Sequence, residues 1–179
     1  MLTLDFWGQA TSIVAMTLII LSFQPKKIAG FYALQLSGNV FFAISFLLLG
    51  NVAGGLMNAI GVLRAIGMLC LGKKRPVWAL VLFNVLFVGA AIFAGTAGGD
   101  GPACIVALIP QIAGTFSMWY GSDKAIRWVQ LCVISPCWLL NNTLITLSVG
   151  GIICEVFSMI STVIFLIRVR NVKKISQGT

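Results

Sequence analysis

Residues 77–95 read VWALVLFNVLFVGAAIFAG, a stretch without a charged side chain. A helix needs roughly 20 mostly apolar residues to cross a bilayer, so this stretch predicts a transmembrane helix. The whole chain agrees, because 59% of its 179 residues are hydrophobic and only 9% are charged, whereas soluble domains contain about 25% charged residues. The sequence therefore predicts a single membrane domain over 1–179 and excludes a soluble globular protein.

Further apolar runs lie on both sides of this stretch, three before it and three after it. Charged or turn-forming residues separate them, as in Gly72-Lys73-Lys74-Arg75-Pro76. These runs are too continuously apolar for the strands of a membrane barrel, so each predicts a helix whose backbone hydrogen bonds close internally. The predicted spans are 7–23, 28–49, 52–72, 77–95, 103–120, 126–147 and 149–168.

The basic residues predict how these helices are oriented. All 12 Lys and Arg residues except Arg64 fall on alternate connections or close to the end of the last span. Because Lys and Arg near span ends are retained in the cytoplasm, we expect the amino terminus outside and a basic tail, 169–179, in the cytoplasm. With a formal net charge of +8, this side is expected to contact anionic lipid headgroups rather than nucleic acid.

Weak internal similarity predicts a duplicated architecture. Gln35-Leu36 and Gly54-Gly55 recur as Gln130-Leu131 and Gly150-Gly151, at similar places in their spans. A single span between two three-helix units gives both units the same orientation, so the repeats are expected to be parallel. The predicted fold is an all-α membrane protein in a 3+1+3 arrangement, with a first repeat over 7–72, a linker helix over 77–95 and a second repeat over 103–168.

Two ionisable side chains, Arg64 and Glu155, lie inside predicted spans. A charge in the bilayer is costly, so each is a candidate functional group. Counting along the helices places Glu155 about 9 Å and Arg64 about 18 Å below the outer face. Two interpretations stay open: Glu155 is a proton relay for a coupled solute, or the two side chains form a buried ion pair that holds the repeats together.

Polar and aromatic side chains at matching depth predict a binding layer. Asn58 and Asn142 fall at about the depth of Glu155, and their amides suit the hydroxyls or amides of a solute. Phe42 and Trp138 occupy corresponding faces of the second and sixth spans, where they could contact a solute from two sides. The alternative is ordinary packing, with hydrogen bonds between helices for Asn and aromatic contacts for Phe42 and Trp138.

The dipeptide Pro110-Gln111 interrupts the fifth span. Proline removes one backbone hydrogen bond and leaves a carbonyl for its neighbours to satisfy. This position predicts either a hinge for alternating access or a static kink.

The residues that carry most catalytic and metal chemistry are scarce in this chain. There is no His, and the five cysteines lack C-x-x-C spacing, so neither a metal, a cofactor nor a disulfide framework is predicted. Because no nucleophile stands beside a base and no two carboxylates form a pair, the sequence also argues against an enzyme.

Several short motifs resemble the YgjV-type bacterial inner-membrane proteins. They are Leu48-Leu49-Gly50, Asn58-Ala59-Ile60, Cys137-Trp138 with Asn142 four residues later, and Gly150-Gly151 followed by Glu155. Pro110-Gln111 is similar to the PQ element of the wider PQ-loop group, which includes the SWEET sugar carriers, and Asn58 falls where those carriers place a substrate-contacting Asn. The resemblance implies a bacterial inner-membrane location and a PQ-loop-like fold of seven helices.

These features together predict a transporter or facilitator of a small polar solute. Its central cavity would be lined by Phe42, Asn58, Trp138, Asn142 and Glu155, with Arg64 as a further candidate. The alternative from another class is a non-transporting membrane receptor or scaffold of the same fold. Both predict contact with the lipid bilayer, and both leave the oligomeric state open.

Overall fold

The computed structural model describes residues 2–22, 28–71 and 76–177, and within these residues it contains seven long helices and no strand. A short 3-10 turn, Gly101–Ala103, leads into the fifth helix. The predicted all-helical fold is therefore confirmed. The helices are α1 Leu2–Leu21, α2 Ile28–Leu48, α3 Val52–Leu71, α4 Val77–Thr96, α5 Cys104–Tyr120, α6 over 123–145 and α7 Val149–Gln177.

The outward faces of these helices are apolar, as a bilayer requires. Among the described residues, six helices are long and apolar enough to cross a membrane, and α2 contains a shorter apolar stretch, Ala33–Leu48. Large hydrophobic side chains point outward, and Ile92 and Leu144, for example, are 62% and 75% exposed. A continuous apolar surface of this kind is unfavourable in water, so it favours burial in lipid.

The last helix runs well beyond its predicted span. α7 continues to Gln177, whereas the predicted span ends at 168. The intervening residues contain no Gly or Pro, and Gly178 is the first strong helix breaker. Most of the segment predicted as a basic tail, 169–179, therefore extends the helix.

The sixth helix is irregular along its length. It begins at Asp123, where the Ser122 hydroxyl accepts a hydrogen bond from Ala125 N and caps the first turn. Two of its turns, Gln130–Ile134 and Asn141–Ile145, are wider and have π-helical geometry. Such turns are rare and frequently occur at functional sites, and both contain residues discussed below.

Six helices form a closed ring, and one lies outside it. Around the ring each helix packs against the next in the order α1, α2, α3, α5, α6, α7 and back to α1. Helix α4 packs against α3 and α5, so the predicted linker helix occupies the periphery. The 3+1+3 duplication stays a prediction.

Side-chain hydrogen bonds bring several connections together at one end of the ring, termed the closed end. Gln9 Nε2 donates to the Leu147 carbonyl at 2.7 Å and joins α1 to the α6–α7 connection. Asn51 Nδ2 donates to Asn141 Oδ1 at 3.0 Å and to Thr146 Oγ1 at 2.6 Å. The α2–α3 connection therefore contacts the same end.

The opposite end of the ring, where α6 begins, is termed the basic end because it carries Lys124 and Arg127. The assignment of this end to the cytoplasm stays a prediction. Some of the residues on which that assignment depends lie outside the described residues, namely Lys26, Lys27, Lys73, Lys74 and Arg75.

The α4–α5 connection is tied to the closed end by Asp100. Its carboxylate accepts hydrogen bonds from Val52 N at 3.4 Å and from Ala53 N. These N–H groups belong to the first turn of α3, where the helix dipole favours a negative charge. The contact fixes where α3 and α5 begin relative to each other.

Replacing Asp100 with Ala is expected to lower the free energy of unfolding by about 1–2 kcal/mol, because it removes a helix cap and its charge. Thermal unfolding in detergent measures the change. Asp5→Ala is the matched control, since Asp5 is exposed on α1, and we expect no change for it. Equal losses for the two variants would contradict the capping role.

Candidate functional site

A cavity of about 850 Å³ lies inside the ring. Among the described residues, every helix except α4 contributes to its lining. The lining extends from Phe46 and Gly151 near the closed end to Ile126 and Arg127 in the first turns of α6. Sites for small molecules commonly enclose about 300–1,000 Å³, so the cavity is large enough for a solute and reaches the basic end.

The structure brings all the sequence-predicted site residues to this one cavity. They come from five helices, α2, α3, α5, α6 and α7, whose inward faces line the cavity. The role of each residue stays a prediction. The residues in question are Phe42, Asn58, Arg64, Pro110, Gln111, Trp138, Asn142 and Glu155.

Arg64 of α3 is only 8% exposed and is held by neutral groups. Its Nη1 group donates to the Gln111 carbonyl at 3.1 Å and to Thr115 Oγ1 at 2.6 Å. Its Cζ atom lies 5.2 Å from the centre of the Phe87 ring of α4, a cation–π contact. Nε is buried without a partner among the described residues. These contacts orient the guanidinium but do not neutralise its charge.

Glu155 of α7 lines the cavity together with Gln130 of α6. Gln130 Nε2 donates a hydrogen bond to Ser135 Oγ at 2.9 Å within α6. The Oε2 atom of Glu155 is buried and has no partner within the described part of the chain. This oxygen lies inside the packed wall, where a water molecule does not reach it.

Arg64 and Glu155 do not form the ion pair that the sequence left open. Both line the cavity, but no salt bridge joins them among the described residues, and Arg64 turns toward Thr115 of α5 instead. Depth explains the separation, because Arg64 lies about 18 Å along α3 and Glu155 about 9 Å along α7 from the closed end. The ion-pair interpretation does not describe this structure, and the proton relay stays a prediction.

The two predicted Asn residues use their amides differently. Asn58 Nδ2 donates to the Gly54 carbonyl of its own helix at 2.9 Å. Asn142 Oδ1 is buried and unpartnered among the described residues, and Asn142 packs so closely on Gly151 that a Cβ there would lie 2.3 Å from Oδ1. Within the described structure neither side chain makes the hydrogen bond between helices that ordinary packing would require.

Phe42, Phe46 and Trp138 form a continuous stack along one wall. The ring centres of Phe42 and Phe46 are 6.0 Å apart, and those of Phe46 and Trp138 are 5.7 Å apart with an angle of 12° between the planes. Phe46 thus fills the gap between the two predicted residues, because it follows Phe42 by one helical turn. The three rings form one aromatic surface, and the contact of Phe42 and Trp138 with a solute stays a prediction.

Helix α5 continues through Pro110 and Gln111 without a break. Pro110 is fully buried, and the Gln111 carbonyl accepts hydrogen bonds from Arg64 and, at 2.7 Å, from Thr115 Oγ1. The polar contacts of Arg64 are therefore concentrated in the turn that follows the proline. The hinge stays a prediction.

Other lining residues were missed by the sequence analysis. Arg127 was read only as an orientation-setting charge, yet its Cζ lies 4.7 Å from the centre of the Phe165 ring inside the cavity lining. On α7, three polar residues follow Glu155 on one helical face. That spacing was an available signal, and the residues are Ser158, Ser161 and Thr162.

A buried group of polar side chains, termed the polar latch, seals the closed end. It consists of Asn51, Asn141 and Thr146, which are buried and do not contribute to the cavity lining. Besides the bonds already described, Asn141 Nδ2 donates to Thr146 Oγ1 at 3.2 Å. Asn51 Oδ1 accepts from Gly54 N at 2.6 Å and caps α3. The cavity is therefore closed at the latch and extends toward the basic end.

Comparison with known proteins identifies the family of the chain and its location in the cell. No curated protein and no solved structure matches the chain. A family model described as a bacterial inner membrane protein, Imp-YgjV, matches residues 6–173, a range that includes every described residue of the cavity lining. The YgjV resemblance is confirmed, whereas the wider PQ-loop resemblance stays a prediction. Together with its apolar helices, this match shows that the chain belongs to the Imp-YgjV family of multi-pass bacterial inner membrane proteins.

Proposed function

We propose that the protein transports a small polar solute, or facilitates its diffusion, through the cavity inside the helix ring. The observation that carries this proposal is a cavity of about 850 Å³ inside the ring, whose lining contains polar and charged side chains. Among the described residues these include Asn58, Arg64, Asn142 and Glu155. Ionisable side chains within a membrane usually face the bundle interior or a water-filled cavity, so this lining favours a space that holds water and solute.

The geometry supports a carrier that opens to one side at a time. The polar latch seals the closed end, while the lining reaches Arg127 at the basic end. In an alternating-access cycle this arrangement corresponds to the state open at the basic end. With the predicted orientation, that end faces the cytoplasm and contacts anionic headgroups, and Pro110 provides the hinge for the opposite state.

Thiol labelling of the cavity tests this proposal. Ser158 lines the cavity about 14 Å along α7, whereas Ile160 on the same helix is 56% exposed on the outer face. In a background with the five native cysteines replaced by Ala, we expect Ser158→Cys to react with a charged, membrane-impermeant thiol reagent. Ile160→Cys, in contact with lipid, is expected to resist the same reagent.

The side from which labelling occurs completes the test. Right-side-out and inverted vesicles should differ, and Ser158→Cys should react from the side that carries the basic connections. Protection of Ser158→Cys from both sides would favour the non-transporting scaffold, because such a cavity would have no path to water. Equal labelling of Ile160→Cys would show that the reagent reports membrane leakage instead.

A further inference from the structure

We propose that Arg64 binds the carboxylate of a small organic monoanion, whose apolar body lies against the aromatic stack of Phe42, Phe46 and Trp138. This inference deepens the proposed function and rests on it, since the same cavity serves both. The inference gives the solute a charge and a shape, neither of which follows from the volume of the cavity.

The charge of the cavity wall favours an anion. Three described lining residues carry ionisable charge, namely Arg64, Arg127 and Glu155. A guanidinium stays protonated in proteins, and the described partners of Arg64 are all neutral. A buried charge without a counter-ion is costly. A bound anion in the cavity would supply the missing charge.

Small residues border the space beside the guanidinium. Ala65 follows Arg64 and Gly61 precedes it by about one helical turn, and both line the cavity with Gly114. A Cβ added at Gly114 would lie 3.4 Å from Ile134 Cδ1 and 3.7 Å from Arg64 Nη1, so the glycine leaves room beside the guanidinium for one further methyl group. The planar fork of an arginine matches the two oxygens of a carboxylate.

The rest of the ligand is expected to be apolar. Phe42 lies about 9 Å and Arg64 about 18 Å from the closed end, counted along their helices. A ligand with its carboxylate on Arg64 therefore extends toward the aromatic stack, which offers an apolar surface. Glu155 lies at the depth of that stack, and a second carboxylate there would meet the acid of Glu155. This arrangement favours a monocarboxylate with an apolar body over a dicarboxylate or an inorganic anion.

Ligand-dependent thermal unfolding of the purified protein in detergent tests this inference. Sodium benzoate is the probe, with benzyl alcohol as its neutral counterpart and phosphate and chloride as inorganic anions. We expect benzoate to raise the unfolding midpoint in a saturable manner, and the other three solutes to have little effect. Arg64→Ala is expected to weaken benzoate binding at least about tenfold, as the loss of charge-assisted hydrogen bonds implies.

Further variants keep the test decisive where Arg64→Ala fails to fold. Gly114→Ala retains the charge and adds a methyl group at ordinary contact distance, so it should fold and bind benzoate more weakly. Arg64→Lys retains the positive charge but loses the paired N–H donors of the guanidinium, so it should also weaken benzoate binding. Arg168→Gln removes an exposed positive charge and should leave benzoate binding unchanged.

Several results would overturn the inference. These are the absence of a benzoate effect, equal effects of benzoate and benzyl alcohol, equal effects of benzoate and the inorganic anions, and an undiminished effect in Gly114→Ala and Arg64→Lys. Any of these leaves the proposed function standing when Ser158→Cys is accessible from the basic side. Inaccessibility of Ser158→Cys from both sides defeats the proposed function whatever benzoate does.

Discussion

Replacing Gly150 with Ala is expected to lower the unfolding midpoint of the detergent-solubilised protein by several degrees. At Gly150 an added Cβ would lie 2.3 Å from the Ser12 carbonyl oxygen and 2.4 Å from its carbon. Both atoms belong to the backbone of α1 and cannot rotate away, so α1 and α7 must move apart. Overpacking of this kind costs about 1–3 kcal/mol. Ser12 Oγ also accepts a hydrogen bond from Gly150 N at 3.3 Å, which separation of the helices would weaken.

Gly89→Ala is the matched control for this prediction. It makes the same chemical change inside a helix, but a Cβ at Gly89 would meet nothing within 4 Å. We expect its unfolding midpoint to stay level or rise slightly, because Ala favours the helix more than Gly. If the two variants lose the same stability, the close contact of α1 with α7 is not what closes the ring.

Replacing Asn51 with Ala is expected to open the closed end as well as to destabilise the protein. The change removes both donors to Asn141 and Thr146 and the cap on Gly54 N. Because Asn141 is 1% exposed, it is left buried with an unsatisfied group, which together with the lost cap costs about 2–4 kcal/mol. In the Ser158→Cys background we expect labelling from the closed side, which the intact latch prevents.

Asn51→Asp separates the two parts of this effect. An Asp side chain keeps the oxygen that caps α3 and loses the N–H donors to the latch. We therefore expect part of the stability to return while labelling from the closed side persists. Stability close to wild type together with a sealed closed end in Asn51→Ala would show that the polar latch does not hold the cavity shut.

The fold was largely predictable from the sequence, because the length of each apolar run is a local signal for a membrane-spanning helix. Each apolar run had to form a helix in lipid, and seven helices are observed in the described residues. The ends were less predictable, as α7 shows, since nothing in 169–177 stops a helix once it has left the apolar span. The packing order of the ring depends on contacts between distant segments, such as Gln9 with Leu147, which no local pattern reveals.

The sequence could predict which residues line the candidate site, but not which residues they contact. Costly residues such as Arg64 and Asn142 stand out because lipid penalises polar side chains, and the structure places them on the cavity wall. The partner of Arg64 was not predictable, because it depends on whether Thr115 or Glu155 comes within reach of a long side chain. The role of Phe46 was hidden for a similar reason, since several aromatic residues shared its helical face.

The latch residues were missed because they resemble ordinary turn residues. Asn51 and Thr146 sit beside connections, where polar side chains are expected on any helix bundle. Only their burial and their mutual hydrogen bonds distinguish them. Their distance from the predicted binding layer gave no reason to single them out from the sequence.

Solute efflux from proteoliposomes tests most directly whether the cavity is a transport path. Vesicles containing the Ser158→Cys protein in the cysteine-free background would be loaded with a bacterial extract of small metabolites. Mass spectrometry would then follow which solutes leave, before and after modification by the impermeant thiol reagent. We predict that at least one small organic anion leaves faster than from protein-free vesicles, and that modification of residue 158 abolishes this difference. Identical efflux of every solute from modified, unmodified and protein-free vesicles would contradict the account.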